Sequence, residues 1–214
     1  MGFCERLMRL DKPADEVWAW MSQPKNLLAV NLFHAEVDDA ETGGEFHPGQ
    51  VITIDHDFFG AYQQLRQAKV RDVQKYFVAF GEYKHPDAPG RDPFPHNQSF
   101  RIVPVDDESC IVVNQITGRY VLPDFPGHEA VGRWLFRKYI PVILDDDNQV
   151  IAIGCGAMEP TKLNIPSGLL LWPLLAYGGR FVKKSTRRQV IEQMKADLDT
   201  KKKAEANAKE PQPA

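Results

Sequence analysis

The stretch CERLMRLDKPADEVWAWM, residues 4–21, decides the fold because it joins a short strand directly to a short helix. Residues 4–10 are predicted to be extended. Pro13, with the acidic residues Asp15 and Glu16 just after it, is typical of the first turn of a helix. We expect Asp11 to cap this helix and a second short helix to follow at residues 25–31.

Strand patterns then fill the chain to about residue 121. Apolar and polar residues alternate at 51–58, 76–83 and 110–120, which predicts strands with one buried face each. A weak strand is expected at 35–41, and the polar stretch 62–73 predicts a long strand whose inner face the pattern leaves open. The hairpin-length spacing of these segments indicates an antiparallel meander.

The last third of the chain combines several patterns. We expect a helix at 127–138, a turn at Asp145-Asp146-Asp147-Asn148, a short strand at 149–153 and a long amphipathic helix at 182–203. This order of elements predicts an α+β helix-grip fold, in which a curved antiparallel sheet wraps a long C-terminal helix around a ligand cavity. We expect one domain over 1–205, elaborated at 122–182, and a disordered tail at 206–214.

Composition limits the function classes. The net charge is −3, and the segment from Lys183 onward carries about +4, so the rest carries about −7 and is a poor nucleic-acid binder. Three cysteines without CxxC spacing indicate a reducing, cytoplasmic environment. No nucleophile or nucleotide motif occurs, and the six histidines lack metal-ligand spacing, so we predict no cofactor, no metal and no identified catalytic residue.

Polar residues on otherwise apolar strand faces are the candidate site. Burying such a group costs about 1–3 kcal/mol unless it is hydrogen-bonded, so each one requires a partner. These residues either satisfy one another structurally or line a cavity and orient a ligand. The polar candidates are His56, Glu82 and Asn114, and the apolar wall is expected to include Phe58, Phe80, Phe100 and Tyr120.

Three stretches resemble the START/Bet v1-like (SRPBCC) superfamily of polyketide cyclases, aromatase/cyclases and lipid-transfer domains: RLDKPADEVWAWMSQPKNL, FRIVPVDDESCIVVNQITGRY and STRRQVIEQMKADLDTKKKA. The resemblance covers about residues 3–121 and 183–205. It implies the helix-grip fold and an apolar ligand, but this superfamily has no invariant catalytic residue to transfer. The oxygenase branch of the superfamily is not supported, because no His-x4-His ligand pair occurs.

Two main functions follow as hypotheses. The first is binding or transfer of a hydrophobic small molecule, such as a lipid, an isoprenoid or a polyketide-like compound. The second is a cofactor-independent cyclase, dehydratase or hydrolase in which His56 or Glu82 acts as general base. A third reading, an interaction protein with a filled core, predicts no cavity. The oligomeric state is left open.

A dense apolar patch lies before a cationic cluster at residues 165–188. Such a patch fits an interfacial membrane contact through Leu171, Trp172 and Leu175, since apolar burial and attraction to anionic lipid would act together. The same residues would equally well pack on the sheet. The run is short and interrupted by Pro173, so it does not predict a transmembrane helix.

Overall fold

The computed structural model describes residues 1–38, 44–57 and 63–159. Seven strands form one antiparallel sheet in the order β1-β7-β6-β5-β4-β3-β2. The strands are β1 (Gly2–Leu10), β2 (His34–Val37), β3 (Val51–Asp57), β4 (Gln63–Gln74), β5 (Phe77–Lys84), β6 (His96–Pro104) and β7 (Cys110–Gly118). The helices are α1 (Ala14–Met21), α2 (Pro24–Leu28) and α3 (His128–Gly154).

The predicted antiparallel meander is confirmed from β2 to β7, and β1 returns to pair with β7 from Gly2↔Gly118 to Leu10↔Cys110. Strand alternation sets the buried face as expected. In β3, Ile52 and Ile54 are fully buried whereas Val51 is exposed. The alternation therefore turns one face of the sheet toward the core.

The first helices connect the edge strand β1 to the other edge, β2. Val17 and Met21 of α1 are fully buried in the core against the sheet, as the sequence predicts. The expected cap at Asp11 is wrong. Pro13 is the N-cap residue and no side chain caps α1, because Asp11 lies two residues before the cap position.

Helix α3 replaces two elements that the sequence predicts near the end of the described chain. The predicted turn at 145–148 and strand at 149–153 are wrong, since both lie inside this single 27-residue helix. The buried residues Phe136, Ile140, Ile143 and Ile151 recur at helical spacing and form one apolar stripe. Burial of that stripe outweighs the low helix propensity of the acidic run.

Helix α3 packs on β1 and β7 and completes an α+β helix-grip fold with a curved antiparallel sheet, so the predicted fold class is confirmed. The helix expected in this role, 182–203, lies outside the described residues, as does the patch at 165–188. The single domain over 1–205 stays a prediction. Among the described helices, none is both long and apolar enough to cross a membrane.

Candidate functional site

Five charged or titratable side chains meet at the centre of the inner sheet face. Cross-strand pairing brings them together, because His34 lies opposite His56, and Glu82 lies opposite His96. Arg66 projects from β4 between these two pairs and contacts Glu82. We call this group the histidine–glutamate cluster: His34, His56, Arg66, Glu82 and His96, all buried.

Glu82 is the centre of the cluster and is only 1% exposed. Its Oε1 accepts a 2.7 Å hydrogen bond from Arg66 Nε and lies 3.9 Å from His56 Nε2. Its Oε2 lies 3.2 Å from His34 Nε2 and 3.6 Å from His96 Nε2. One carboxylate therefore faces three imidazole rings through their Nε2 atoms.

Arg66 fixes this carboxylate from the opposite side. Its guanidinium donates to Asp92 Oδ1 and to the Phe94 carbonyl, both at 2.8 Å. Burial lowers the pKa of Arg66, but Glu82 and Asp92 outweigh burial and raise it. The guanidinium is therefore a permanent charge shared between two carboxylates.

The backbone sets the tautomers of two histidines. His34 Nδ1 lies 2.5 Å from the Leu28 carbonyl, and His96 Nδ1 lies 3.0 Å from the Phe94 carbonyl. A carbonyl only accepts hydrogen bonds, so each Nδ1 carries a proton. Nε2 of His34 and of His96 is then the ring nitrogen that faces Glu82.

The protonation states follow from burial and charge. Burial lowers the pKa of His56 well below its ordinary value and also lowers the pKa of His96, so both rings are neutral near pH 7. For Glu82, burial would raise the pKa, but His96, His34 and Arg66 together lower it well below the ordinary value. We attribute the ionised state chiefly to Arg66, the neighbour that is charged at every physiological pH.

A second pair of buried polar residues lies on the neighbouring strands β6 and β7. Gln98 Nε2 donates a 3.0 Å hydrogen bond to Asn114 Oδ1, and both residues are buried. Asn114 is thus hydrogen-bonded to a residue of the neighbouring strand. This is one of the two roles that we expect for the polar residues of the strand faces, in which they satisfy one another.

A cleft of about 440 Å³ opens at the end of the sheet between β1, β7 and the first turns of α3. Its size lies within the range of about 300–1,000 Å³ that is usual for small-molecule sites. In the described part of the chain, Arg119 and Arg137 form no ion pair, whereas Arg91 pairs with Asp124. The cleft lining includes Phe3, Tyr120, Phe136, Arg91, Arg119 and Arg137.

Phe94 connects the cleft to the histidine–glutamate cluster. Its ring stacks on Tyr120, which lines the cleft, and on His96, which faces Glu82. Gly118 also lines the cleft, and a Cβ at that position would come within 2.7 Å of His96 Cβ. Only one layer of side chains therefore lies between the cleft and the cluster.

The structure distributes the predicted site residues over three places. His56 and Glu82 meet in the cluster, Asn114 lies beside it, and Tyr120 lines the cleft. Phe80 and Phe100 are buried in the core with ring centroids 6.2 Å apart. Phe58, Leu171, Trp172 and Leu175 lie outside the described residues.

Sequence reasoning missed His34, Arg66 and His96. His34 begins a short strand and His96 follows a loop rich in proline, so neither stands in a clear alternating pattern. Arg66 does stand in one, because Gln64, Arg66, Ala68 and Val70 are the buried alternate residues of β4. An arginine on that face was a usable signal of a buried carboxylate partner.

Comparisons with known proteins identify the fold. The chain is similar to a conserved protein from Geobacillus kaustophilus, with a TM-score of 0.54 and 11% identity over 72% of this chain and 95% of that one. It is also similar to the di-domain ARO/CYC BexL of the BE-7585A biosynthetic pathway, with a TM-score of 0.51 and 18% identity over 73% of this chain.

A similar di-domain ARO/CYC, StfQ of the steffimycin biosynthetic pathway, matches with a TM-score of 0.51 and 9% identity over 72% of this chain. This chain spans 47% of BexL and 50% of StfQ, about half of each di-domain protein. No family model and no curated protein matches the sequence. Together with the sheet and α3, the structural matches show that the chain has the α+β helix-grip fold.

Proposed function

We propose that this protein binds a hydrophobic small molecule that carries an anionic group, with the apolar part in the cleft at the end of the sheet. The observation that carries this proposal is the lining of the cleft. Aromatic rings of Phe3, Tyr120 and Phe136 form its apolar part, and Arg119 and Arg137 stand beside them without an ion-pair partner among the described residues.

Charge and geometry support an anionic ligand group. A guanidinium presents several donors in one plane, which suits a carboxylate, a phosphate or an enolate oxygen. Two of the similar structures are di-domain ARO/CYC proteins of biosynthetic pathways, and the family resemblance of the sequence implies an apolar ligand. The ligand class that we propose is therefore a polyketide-like or lipid-like compound with one acidic end.

Paired dyes test the charge preference directly. Anilinonaphthalene sulfonate and the uncharged phenylnaphthylamine share an apolar aromatic body and differ in the sulfonate. We expect fluorescence titration to show tighter binding of the sulfonate, and the double substitution Arg119→Gln with Arg137→Gln to weaken it about tenfold. Binding of the uncharged dye should change little.

Arg101→Gln is the matched control, because Arg101 is an exposed arginine of β6 that does not line the cleft. It should leave both dyes unaffected. Failure of the wild-type protein to bind either dye, or equal loss in the control and the double variant, would refute the proposal. Near-ultraviolet circular dichroism must show that each variant keeps its tertiary structure.

A second candidate function is a cofactor-independent cyclase or dehydratase that uses the histidine–glutamate cluster. The convergence of His56 and Glu82 at 3.9 Å favours it. Two observations place it second. Glu82 is 1% exposed, and its lowered pKa makes it a weak general base. Conversion of a polyketide-like substrate by the wild type but not by His56→Gln would establish the enzyme.

The proposed location of the protein is cytoplasmic, with peripheral membrane contact through residues 165–188. The residues that would make this contact lie outside the described structure, so the proposal depends on their sequence alone. Liposome flotation with anionic vesicles tests it. Wild-type protein should float at low salt, and Trp172→Ala with Leu175→Ala should abolish flotation; an unchanged double variant would contradict the proposal.

A further inference from the structure

The histidine–glutamate cluster has the composition of a metal centre. His34, His56 and Glu82 each direct one ligand atom into a space where these atoms all lie within 4.8 Å of one another. In tetrahedral zinc sites, bonds of 2.0–2.2 Å separate neighbouring ligand atoms by about 3.3–3.5 Å. His34 Nε2 lies 3.2 Å from Glu82 Oε2, and His56 Nε2 lies 3.9 Å from the other carboxylate oxygen, Oε1, so an ion between the two rings would face both oxygens of Glu82.

We propose that His34, His56 and Glu82 bind a divalent transition-metal ion of the Zn²⁺ class, with His96 Nε2 as an adjacent fourth donor. The three ligand atoms lie within 4.8 Å of one another, so side-chain shifts that bring them closer by up to about 1.4 Å would give the spacings of a tetrahedral site. His96 Nε2 lies 3.6 Å from Glu82 Oε2, on the oxygen that also faces His34. Two or three imidazoles with one carboxylate are a ligand set that suits Zn²⁺ and Fe²⁺.

The surroundings of the ligands are those that a metal site requires. Metal-binding histidines almost always donate their other ring N–H to a carbonyl or a carboxylate, which fixes the ring and directs the second nitrogen to the metal. His34 and His96 both donate Nδ1–H to backbone carbonyls, those of Leu28 and Phe94. The ligating carboxylate is itself oriented, because Arg66 holds Glu82 Oε1.

Arg66, Glu82 and Asp92 together keep a net negative charge, in spite of the positive charge of Arg66. Arg66 is shared between Glu82 and Asp92, so these three groups sum to one negative charge. A metal ion held between His34, His56 and the Glu82 carboxylate would offset it in a site that excludes water.

The test uses the full chain, Zn²⁺ and its spectroscopic substitute Co²⁺. After chelator dialysis, the wild type should bind one Zn²⁺ per chain by calorimetry and elemental analysis. Co²⁺ should give the visible absorption of a four-coordinate site. His34→Gln and His56→Gln should each weaken Zn²⁺ binding by at least about tenfold, because each removes one ligand.

His47→Gln is the control, since His47 is exposed and lies outside the cluster. Glu82→Gln also removes a partner of Arg66 and so risks unfolding. The two histidine variants therefore carry the test, with far-ultraviolet circular dichroism as a check of folding. The proposal is overturned if the wild type binds no Zn²⁺, or if His47→Gln weakens binding as much as His56→Gln.

Discussion

The ring of Phe94 stacks on the ring of Tyr120 with their centroids 4.6 Å apart and their planes 25° apart. Phe94 stacks on His96 at the same centroid distance. Since Tyr120 lines the cleft and His96 faces Glu82, the Phe94 ring connects the two places where ligand chemistry converges. The Phe94 ring is therefore a direct contact between the cleft and the histidine–glutamate cluster.

Removing the Phe94 ring should admit water to the cluster. The Phe94 carbonyl, which accepts from Arg66 and His96, is retained in Phe94→Ala, so the substitution isolates the ring. We expect a loss of about 2–4 kcal/mol in the free energy of unfolding. The pKa of His96, lowered by burial, should rise toward its ordinary value.

Chemical denaturation and histidine titration by nuclear magnetic resonance measure these two effects. Phe125→Ala is the matched control, because Phe125 is an exposed phenylalanine beside His128. It should change neither quantity for the cluster. An unchanged His96 titration in Phe94→Ala would show that some other group shields the cluster.

Glu82 and Arg66 should be strongly coupled in stability. Truncation of one partner of a buried ion pair leaves the other charged and unpaired, which costs about 3–5 kcal/mol. We expect Arg66→Gln to reach this range and Glu82→Gln to cost less, because Arg66 keeps Asp92 as a partner. The double variant should cost clearly less than the sum of the two, because it leaves no uncompensated charge from this pair.

A double-mutant cycle by urea denaturation provides the coupling. The Arg66→Gln variants also remove the 2.8 Å partner of Asp92, which adds a second loss to the measured free energy of unfolding. Adding Asp92→Asn to all four proteins of the cycle, the reference protein included, corrects for that contribution. Strictly additive losses across the corrected cycle would rule out the pairing.

The sequence was sufficient for the strands but not for the helix that packs on them. Alternation such as Ile52, Ile54 and His56 predicts a buried face because the two-residue period belongs to a single strand. The acidic run at 145–148 predicts a turn because its local preference is for a turn. Only packing of the stripe through Ile140 and Ile151 on the sheet reveals it as part of α3.

The sequence predicts only two members of the histidine–glutamate cluster. His56 and Glu82 each stand out as polar residues on an apolar face. Their partners come from distant positions: His34 and Glu82 are 48 positions apart in the sequence, and Arg66 and Glu82 are 16 positions apart. Sheet order and register determine these pairs, and no local pattern contains that information.

The end of α3 offers a test of its position. A Cβ on Gly154 would lie 2.2 Å from an atom of the Trp20 indole, so the glycine permits close packing of α3 on α1. Alanine favours a helix by about 1 kcal/mol over glycine, yet we expect Gly154→Ala to destabilise by about 1–3 kcal/mol through this clash. Thermal denaturation measures it. Trp20→Ala should reverse the sign of the Gly154→Ala effect, and stabilisation by Gly154→Ala alone would contradict this packing.

Stability should fall on acidification in two stages, both of which originate in the cluster. The folded-state pKa values of His56 and His96 lie below the ordinary 6.5, so the unfolded chain binds more protons once the pH falls below 6.5. The free energy of unfolding therefore decreases with falling pH in that range, by up to about 1.4 kcal/mol per pH unit for each histidine. The pKa of Glu82 is lowered from 4.5, so its contribution is complete above pH 4.5 and is lost as the pH falls through the folded-state value.

Urea denaturation between pH 8 and pH 4, with a chelator present so that no metal competes for the rings, measures the slope. His56→Gln and His96→Gln should each flatten it below pH 6.5, since each removes one group that the unfolded chain protonates first. His47→Gln should leave the slope unchanged, because His47 is exposed. A stability that rises on acidification through this range would mean that the buried rings gain protons on folding, and the neutral-histidine description of the cluster would then be wrong.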